Sequence, residues 1–213
     1  MIDGVLAAID KTRVVAVIRR LGPSEVRGVA RALSGAGITC IEVTADSPGA
    51  FGSIELLAGE FPDVIPGAGT VLTASQAQEA ARRGARFIVS PNVEPEVVKA
   101  AVEAGTVAIP GAMTPTEIVN ALKAGAHLVK VFPASVVGLN FFRELRGPFP
   151  EVKTVATGGI APESVGDYLK SGAYAVGIGS SLVPKEAVAA KRFDLIEAIA
   201  RTVASNVRSV LAG

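Results

Sequence analysis

Apolar and polar positions divide the chain into two kinds of segment that follow each other at nearly regular distances. Short runs of Val, Ile, Phe and Leu, typical of buried strands, follow longer stretches in which Ala and charged residues recur at helical spacing. Most helix-like stretches are followed by a glycine, the residue that most easily adopts the left-handed conformation at a helix C-terminus. These glycines are 20 to 25 residues apart, which indicates a repeated helix-and-strand unit: Gly37, Gly59, Gly84, Gly105, Gly125, Gly147 and Gly172.

The apolar runs predict eight strands, each joined to the next by a helix. An extra helix over residues 1–10 precedes the first strand, and a final helix covers residues 193–211. No Ser- or Pro-rich linker divides the chain, so residues 1–213 are predicted to form one domain. The predicted strands cover residues 14–18, 38–43, 64–67, 86–90, 107–109, 128–132, 153–156 and 174–178.

Two helix-start motifs agree with this division. Thr114-Pro115-Thr116-Glu117 is a capping box with proline at the first helical position, and Thr73-Ala74-Ser75-Gln76 is a second box. Strands that alternate with helices pair in parallel, and near-continuous apolar strands are covered on both faces. Eight such units predict a (β/α)₈ barrel with an additional N-terminal helix.

An open doubly wound sheet is the alternative fold. Such a sheet normally has a glycine-rich turn after its first strand, whereas this chain has Arg19-Arg20-Leu21-Gly22-Pro23 there. The missing glycine pattern favours the barrel.

Composition and charge exclude several classes of protein. The 21 basic and 20 acidic residues give a net charge of +1, without the clustered basic charge of a nucleic-acid-binding surface. We expect no membrane span, because no apolar run approaches the roughly 18 residues that one needs. The first residues have no secretory pattern, so a cytoplasmic location is expected. One cysteine and one histidine make a disulfide or a metal site improbable.

Lys130 is the most informative residue, because it lies within the apolar run Leu128-Val129-Lys130-Val131-Phe132-Pro133. Burial disfavours the charged form of a lysine, and a neutral amine is a nucleophile that can form a Schiff base with a carbonyl carbon. The alternative is an edge-strand lysine whose ammonium reaches water.

The C-terminal ends of the strands are where a barrel of this kind holds its active site. Period-two alternation places Glu42 on the same strand face as Cys40 and Thr44, so Glu42 and Lys130 can both point inward. We expect a water or a substrate atom to separate the two, with Glu42 moving protons. A buried ion pair that only stabilises the barrel is the alternative.

Glycine-rich turns follow the last two predicted strands. Thr157-Gly158-Gly159-Ile160 and Gly177-Ile178-Gly179-Ser180-Ser181 present successive backbone N–H groups, which suit an anion such as phosphate. Thr70, at the end of the third strand, and Arg19, at the end of the first, are candidates for contact with a carboxylate or phosphate. Prolines, among them Pro91, are expected to end strands four, five and six at Ser90-Pro91, Ile109-Pro110 and Phe132-Pro133.

These segments resemble the 2-keto-3-deoxy-6-phosphogluconate aldolase family, which includes 4-hydroxy-2-oxoglutarate and 2-keto-3-deoxy-6-phosphogalactonate aldolases. The resemblance extends from residue 14 to about residue 184. It lies in these motifs: Ile41-Glu42-Val43-Thr44, Gly67-Ala68-Gly69-Thr70-Val71-Leu72, Phe87-Ile88-Val89-Ser90-Pro91, Ile109-Pro110-Gly111, Thr114-Pro115-Thr116-Glu117, Val129-Lys130-Val131-Phe132-Pro133 and Thr157-Gly158-Gly159-Ile160.

The resemblance implies a metal-free class I aldolase that needs no cofactor, has a small 2-keto acid as its substrate and assembles as a homotrimer. It implies Lys130 as the Schiff-base residue, Glu42 as the general acid and base, and Thr70 near the pyruvate carboxylate. Thr157 and Phe132 line the pocket in this interpretation. The phosphate-binding positions correspond to Gly158, Gly159, Gly179 and Ser180.

One position departs from the family pattern. Well-known members have an arginine two residues after the threonine of the strand-two motif, and this chain has Asp46. Either Arg19 or backbone amides near Gly69 and Thr70 then bind the substrate carboxylate, or the preferred substrate differs from phosphogluconate.

The expected reaction is cleavage of a 2-keto-3-deoxy sugar acid phosphate to pyruvate and glyceraldehyde 3-phosphate. The galactonate epimer and 4-hydroxy-2-oxoglutarate are the alternative substrates. A phosphosugar isomerase that uses Lys130 only electrostatically, and a sugar-phosphate-binding module without turnover, are the more distant alternatives.

Overall fold

The computed structural model describes residues 2–212, which form a ring of parallel strands with helices between them. The helices alternate with the strands along the chain, as the sequence pattern predicts. The strands are β1 (Val14–Ile18), β2 (Cys40–Thr44), β3 (Ile65–Gly69), β4 (Phe87–Val89), β5 (Val107–Ile109), β6 (Gly111–Ala112), β7 (Val129–Val131), β8 (Thr154–Thr157) and β9 (Ala175–Ile178).

The first helix precedes β1 and the last follows β9, both as predicted from the sequence. A 3-10 turn, Pro162–Ser164, leads into the helix after β8. The helices are α1 (Ile2–Thr12), α2 (Pro23–Gly35), α3 (Ala50–Glu60), α4 (Ala74–Arg82), α5 (Pro95–Glu103), α6 (Pro115–Lys123), α7 (Ala134–Leu145), α8 (Val165–Lys170), α9 (Lys185–Ala189) and α10 (Phe193–Leu211).

The sheet closes through a single strand that is bent at Pro110. The strand order is β5-β4-β3-β2-β1-β9-β8-β7-β6, and only Pro110 separates β5 from β6. While β5 pairs with β4 on one side, the Ala108 carbonyl accepts a hydrogen bond from His127 N (3.0 Å) on the other. Next along the strand, the Pro110 carbonyl accepts from Lys130 N (2.9 Å). The predicted (β/α)₈ barrel is confirmed, with β5 and β6 as two halves of one strand.

Strand β5 ends at Ile109, directly before Pro110, as the sequence predicts, but backbone pairing does not end there. Proline cannot donate a hydrogen bond, but its carbonyl still accepts one, so pairing with β7 continues past it. Gly111 then pairs with Lys130, and Ala112 with Val131. A side chain at Gly111 would overlap the Pro91 carbonyl oxygen, so the bent strand needs glycine at this point.

The glycine pattern identified most of the helix ends. Five of the seven glycines have left-handed φ angles between 72° and 106° and follow a helix: Gly37, Gly84, Gly105, Gly125 and Gly172. Gly59 instead lies inside α3, which continues until the Phe61 N–H donates to the Leu57 carbonyl (3.2 Å). Gly147 does not have a left-handed φ either. Both predictions were wrong, because glycine permits the left-handed conformation without requiring it.

Of the two predicted capping boxes, only one is complete. Thr114 Oγ1 accepts from Glu117 N (3.3 Å), and Glu117 Oε2 accepts from Thr114 N (2.8 Å). At α4, Thr73 Oγ1 accepts from Gln76 N (3.2 Å), but the Gln76 side chain accepts from Leu72 N (2.8 Å) instead of Thr73 N.

Alternate strand residues pack on opposite sides of the ring. One apolar cluster lies between the strands and the helices and includes Ala16, Ile41, Ile88 and Val131. A second fills the lower part of the barrel and includes strand residues and two residues of α1: Val5, Ile9, Val15, Cys40, Phe87, Val89, Val107, Ile109, Leu128, Val155 and Ala175. Helix α1 therefore closes the N-terminal end, and the next inward positions along the strands line a cavity at the C-terminal end.

No helix within residues 2–212 combines the length and the apolar character needed to cross a membrane.

Candidate active site

A cavity of about 850 Å³ lies at the C-terminal ends of the strands. Each residue that the sequence nominated for the site contributes to its lining, although the residues come from seven loops or strands. They are Arg19, Glu42, Thr70, Pro91, Lys130, Phe132, Thr157, Gly158, Gly159, Gly179 and Ser180.

Lys130 projects into this cavity from the middle of β7. Lys130 is only 7% exposed. On the adjacent strands it pairs with Gly111 of β6 and Val155 of β8. The Phe132 ring lies beside the amine, with 4.9 Å between Nζ and the ring centroid. The edge-strand alternative is therefore wrong, because the amine is buried inside the ring and faces an apolar and aromatic wall.

Glu42 enters the same cavity from β2. It is 3% exposed, and its carboxylate lies directly over the α-carbon of Gly69 on the neighbouring strand β3. Burial raises the pKa of the Glu42 carboxyl, and the positive charges of Lys130 and Arg19 oppose this increase only in part. A raised pKa lets a carboxyl group keep its proton to a higher pH than an ordinary carboxyl, which suits a group that must both accept and donate protons.

The two groups share the cavity without direct contact. Within residues 2–212, the side chains of Lys130 and Glu42 take part in no ion pair and no hydrogen bond. Their interaction is through space, and it acts on the Glu42 pKa. The structure therefore does not contain the buried ion pair that was the alternative, and the space between the two groups is part of the cavity.

Gly69 is expected to be essential for the position of Glu42. In a Gly69→Ala variant the new methyl group would overlap Oε1 of Glu42, so the carboxylate must move. We expect kcat to fall more than tenfold, which is about 1.4 kcal/mol in activation free energy. The free energy of unfolding should fall by about 1–3 kcal/mol because of overpacking. Kinetics and denaturant titration measure the two effects.

Gly52→Ala is the matched control, since nothing lies within 4 Å of a methyl group at this position in α3. Alanine should stabilise that helix by about 0.5–1 kcal/mol and leave kcat unchanged. Equal kinetics for the Gly69→Ala variant and the unsubstituted protein would show that the position of Glu42 is unimportant.

Another part of the cavity wall is formed by backbone and short side chains. Thr157, at the end of β8, is 9% exposed and packs against Gly177, where a side chain would overlap its hydroxyl. Thr70 has a left-handed φ of 53°, an uncommon conformation for a residue other than glycine that is often found at functional sites. Its neighbour Val71 donates to the Val89 carbonyl (3.1 Å), which holds this strand end in place.

The two glycine turns lie side by side above β8 and β9. Gly158 and Gly159 have φ angles of 95° and 71°, and a side chain at Gly159 would overlap Ser135 Oγ. The Ser181 hydroxyl donates to the Ile160 carbonyl (2.6 Å) and so joins the turns. Within residues 2–212, Gly159 and Ser180 form no hydrogen bond, so their N–H groups and the Ser180 hydroxyl are free to bind an anion in the cavity.

Arg19 reaches the cavity but is already paired. Its Nε and Nη2 atoms donate to Oδ2 of Asp46 at 3.3 Å and 3.2 Å. Nε of Arg20 lies 4.0 Å from the same oxygen. Desolvation tends to raise the pKa of Asp46, but hydrogen bonds from Thr44 and Arg19 and the Arg19 charge outweigh it, so the pKa lies below its ordinary value. Asp46 thus forms an ion pair with Arg19 and does not itself line the cavity.

The sequence pattern did not nominate several lining residues, including Arg20 and Lys185. Arg20 has a left-handed φ of 59°, and its N–H donates to Ser47 Oγ (2.7 Å), so only the folded loop brings it to the cavity. Lys185 follows the second glycine turn closely in the sequence, and that proximity was an available signal.

The other groups with potential chemistry lie away from the cavity. Burial raises the pKa of the Cys40 thiol to about 12, so it is inert near neutral pH. Burial also lowers the pKa of His127, whose Nδ1 accepts from Ala108 N (3.1 Å). In residues 2–212 there is no group of three or more His, Cys, Asp or Glu side chains that could hold a metal ion.

A buried amine, a carboxyl group with a raised pKa and a pair of glycine turns with free N–H groups surround one cavity of a (β/α)₈ barrel, and this combination is typical of one enzyme class. It is the class of Schiff-base lyases, which act on phosphorylated or carboxylated carbonyl compounds. The family of aldolases described as KDPG and KHG aldolase matches residues 5–199, and this chain belongs to it. The predicted family, and with it a metal-independent carbon–carbon lyase, are confirmed.

Similar curated proteins include aldolases named for the galactonate and for the gluconate derivative. A probable 2-dehydro-3-deoxy-6-phosphogalactonate aldolase of Rhizobium meliloti is 42% identical over 170 residues, which cover 79% of this chain and 80% of that protein. A 2-dehydro-3-deoxy-phosphogluconate aldolase of Treponema pallidum is 36% identical over 198 residues, covering 92% and 94% of the two chains.

Solved structures agree with the fold. A native KDPGal structure superposes with a TM-score of 0.88 at 30% identity and covers 94% of this chain and 96% of that one. The KDPG aldolase of Legionella pneumophila, with pyruvate captured at low pH as a covalent carbinolamine, has a TM-score of 0.86 at 34% identity over 92% and 96% of the chains.

Proposed function

We propose that this protein cleaves 2-keto-3-deoxy-6-phosphogluconate, or its C4 epimer, to pyruvate and glyceraldehyde 3-phosphate. The observation that carries the proposal is the inward-facing Lys130, buried in the same cavity as Glu42 and the two glycine turns. A carbonyl compound with an anionic group at its far end can contact all three. The named relatives, aldolases for the gluconate and for the galactonate derivative, support the same substrate class.

Lys130 acts first, as the nucleophile. Its amine attacks the C2 carbonyl carbon, and loss of water from the carbinolamine gives a protonated imine. The C3–C4 bond then breaks, and its electron pair moves towards the imine nitrogen to form an enamine of pyruvate. The capture of pyruvate as a carbinolamine in the Legionella pneumophila enzyme supports such a covalent step.

Glu42 transfers the protons that these steps require. Its carboxylate takes the proton of the C4 hydroxyl as that carbon becomes the aldehyde of glyceraldehyde 3-phosphate. The same group later donates a proton to C3 of the enamine, and water hydrolyses the resulting imine to release pyruvate. A bound water can bridge Glu42 and the substrate, because the cavity continues between Glu42 and Lys130.

The ends of the substrate are bound by groups that do not react. The amides of Gly158, Gly159, Gly179 and Ser180 bind the phosphate, and this remote binding aligns C2 with the amine. Thr70 binds the carboxylate next to C2, while Phe132, Pro91 and Thr157 enclose the reacting carbons. Because Asp46 occupies Arg19, we assign the carboxylate to Thr70 and its neighbouring amides, with Arg19 as a weaker contributor.

The oligomeric state and the cellular location are proposed from the family to which the chain belongs. We propose a homotrimer located in the cytoplasm, as expected for a metabolic enzyme of this family. Sedimentation of the purified protein tests the trimer, and fractionation of the source cells tests the location.

Turnover of both epimers tests the proposed function. Incubation with either 2-keto-3-deoxy-6-phospho sugar acid should release pyruvate and glyceraldehyde 3-phosphate in equal amounts, each detected by its own dehydrogenase. The larger kcat/KM identifies the natural epimer at C4. Rearrangement of a phosphosugar without release of pyruvate would favour an isomerase, and binding without any product would favour a non-catalytic module.

A further inference from the structure

Among residues 2–212, four cationic residues line the cavity, and they differ in whether an acidic side chain neutralises their charge. Arg19 and Arg20 both lie within 4.0 Å of the Asp46 carboxylate, so their charge is partly neutralised. Lys130 is the proposed nucleophile. Lys185 is the fourth, and within residues 2–212 its ammonium takes part in no ion pair and no hydrogen bond.

The chain between the second glycine turn and Lys185 is short and held by hydrogen bonds. The N–H groups of Leu182 and Val183 both donate to the Gly179 carbonyl at 2.9 Å. Lys185 then begins α9 at the cavity rim, directly after Pro184, whose ring restricts the backbone. Lys185 is therefore held near the free amides of the glycine turns. Among residues 2–212, Glu42 is the only acidic residue in the cavity lining.

A phosphate monoester needs more positive charge than these turns supply. It carries about 1.5 to 2 negative charges at neutral pH, while backbone amides contribute only partial positive charges. We propose that Lys185 binds the substrate phosphate directly and makes this enzyme prefer phosphorylated 2-keto acids. The inference rests on the proposed function and adds a specificity-determining residue to it.

Substrates with and without a phosphate group make the proposed preference for phosphorylated acids testable. The phosphate of a six-carbon acid lies beyond C6, whereas 4-hydroxy-2-oxoglutarate is one carbon shorter, ends in a carboxylate at C5 and has no phosphate. Loss of the Lys185 charge should therefore weaken the phosphorylated substrate selectively. An exposed charge-assisted contact of this kind corresponds to about a tenfold effect.

The experiment compares Lys185→Met, Lys185→Arg and Lys170→Met. Lys170 is an exposed lysine in the last turn of α8 that does not line the cavity, so its replacement controls for net charge. For Lys185→Met, the ratio of kcat/KM for the phosphorylated acid to that for 4-hydroxy-2-oxoglutarate should fall about tenfold. Lys185→Arg should restore most of this ratio, and Lys170→Met should leave it unchanged.

Binding of glycerol 3-phosphate separates this inference from the aldolase reaction, because this probe has a phosphate but no carbonyl group. Its Kd, measured by calorimetry, should rise about tenfold in Lys185→Met and stay constant in Lys170→Met. An unchanged Kd in Lys185→Met, or no saturable binding to the unsubstituted protein, would overturn the role of Lys185. A selective loss of affinity supports it even if no pyruvate is released, an outcome that contradicts only the proposed reaction.

Discussion

Replacement of Lys130 by Arg or Ala is expected to abolish imine formation and to lower kcat by more than about 10⁴-fold. Neither side chain can form an imine, because the arginine guanidinium stays protonated in proteins and alanine has no amine. The loss should be nearly equal in the two variants, although only Lys130→Arg keeps a positive charge. Steady-state release of pyruvate measures the effect.

Comparison of the two variants distinguishes a Schiff-base mechanism from one in which the Lys130 amine only stabilises negative charge. If Lys130 only stabilised negative charge, Lys130→Arg would keep much of the activity that Lys130→Ala loses. Substantial turnover by Lys130→Arg would therefore contradict the Schiff-base mechanism. Lys153→Ala is a suitable control, because this lysine contacts the Tyr174 ring (Nζ to centroid 4.9 Å) and does not line the cavity.

Glu42→Gln is expected to have the second largest effect, a loss of about 10² to 10⁴ in kcat. Glutamine keeps the shape of the side chain but can neither take the C4 hydroxyl proton nor donate one to C3. Formation of the imine with pyruvate should persist, since Lys130 is unchanged. Exchange of the pyruvate methyl protons with deuterium, followed by NMR, should slow by a similar factor, and an unchanged exchange rate would remove Glu42 from the mechanism.

The pH dependence follows from the direction of the Glu42 pKa shift. Because burial raises this pKa above the ordinary value of 4.5, the acidic limb of kcat/KM should lie at a higher pH than for an exposed glutamate. Activity should fall as the pH decreases through the raised pKa, because the base is then protonated. The part of the acidic limb that comes from Glu42 should be absent in Glu42→Gln.

Stability should change in the opposite direction. The folded pKa of Glu42 exceeds the unfolded one, so the folded protein binds more protons between the two values and its stability declines as pH rises through this window. Glutamine resembles the neutral form at every pH. Glu42→Gln should therefore unfold at a Tm equal to or above that of the unsubstituted protein at neutral pH, and this difference should shrink below the unfolded pKa of the glutamate.

The barrel could be predicted from sequence because each unit repeats the same local signals. Strand β1 and helix α10 have the bounds that the apolar pattern predicted, and α6 begins at the predicted capping box. Inward positions followed from period-two alternation, which correctly placed Glu42 with Cys40 on one face of β2. Strand β5 ends before Pro110 as predicted, but pairing continues beyond it, because the Pro110 carbonyl still accepts a hydrogen bond from Lys130 N.

Other features of the site depend on contacts between distant loops and have no local signal. The Arg19–Asp46 pair forms only because the loop after β1 adopts the left-handed conformation at Arg20 and hydrogen-bonds to Ser47. A sequence pattern can nominate Arg19 as a cation at a strand end, but it cannot show that Arg19 forms an ion pair with Asp46. Lys185 lies close to the second glycine turn in the sequence, but only the fold places it in the cavity lining.

Covalent trapping of pyruvate measures the central claim most directly. The protein is incubated with pyruvate, reduced with borohydride, digested and analysed by mass spectrometry, with the Lys130→Arg variant in parallel. We expect one pyruvate-derived adduct, located on Lys130, and none in the variant. An adduct on another lysine, or no adduct in an active preparation, would contradict the assignment of Lys130 as the Schiff-base residue.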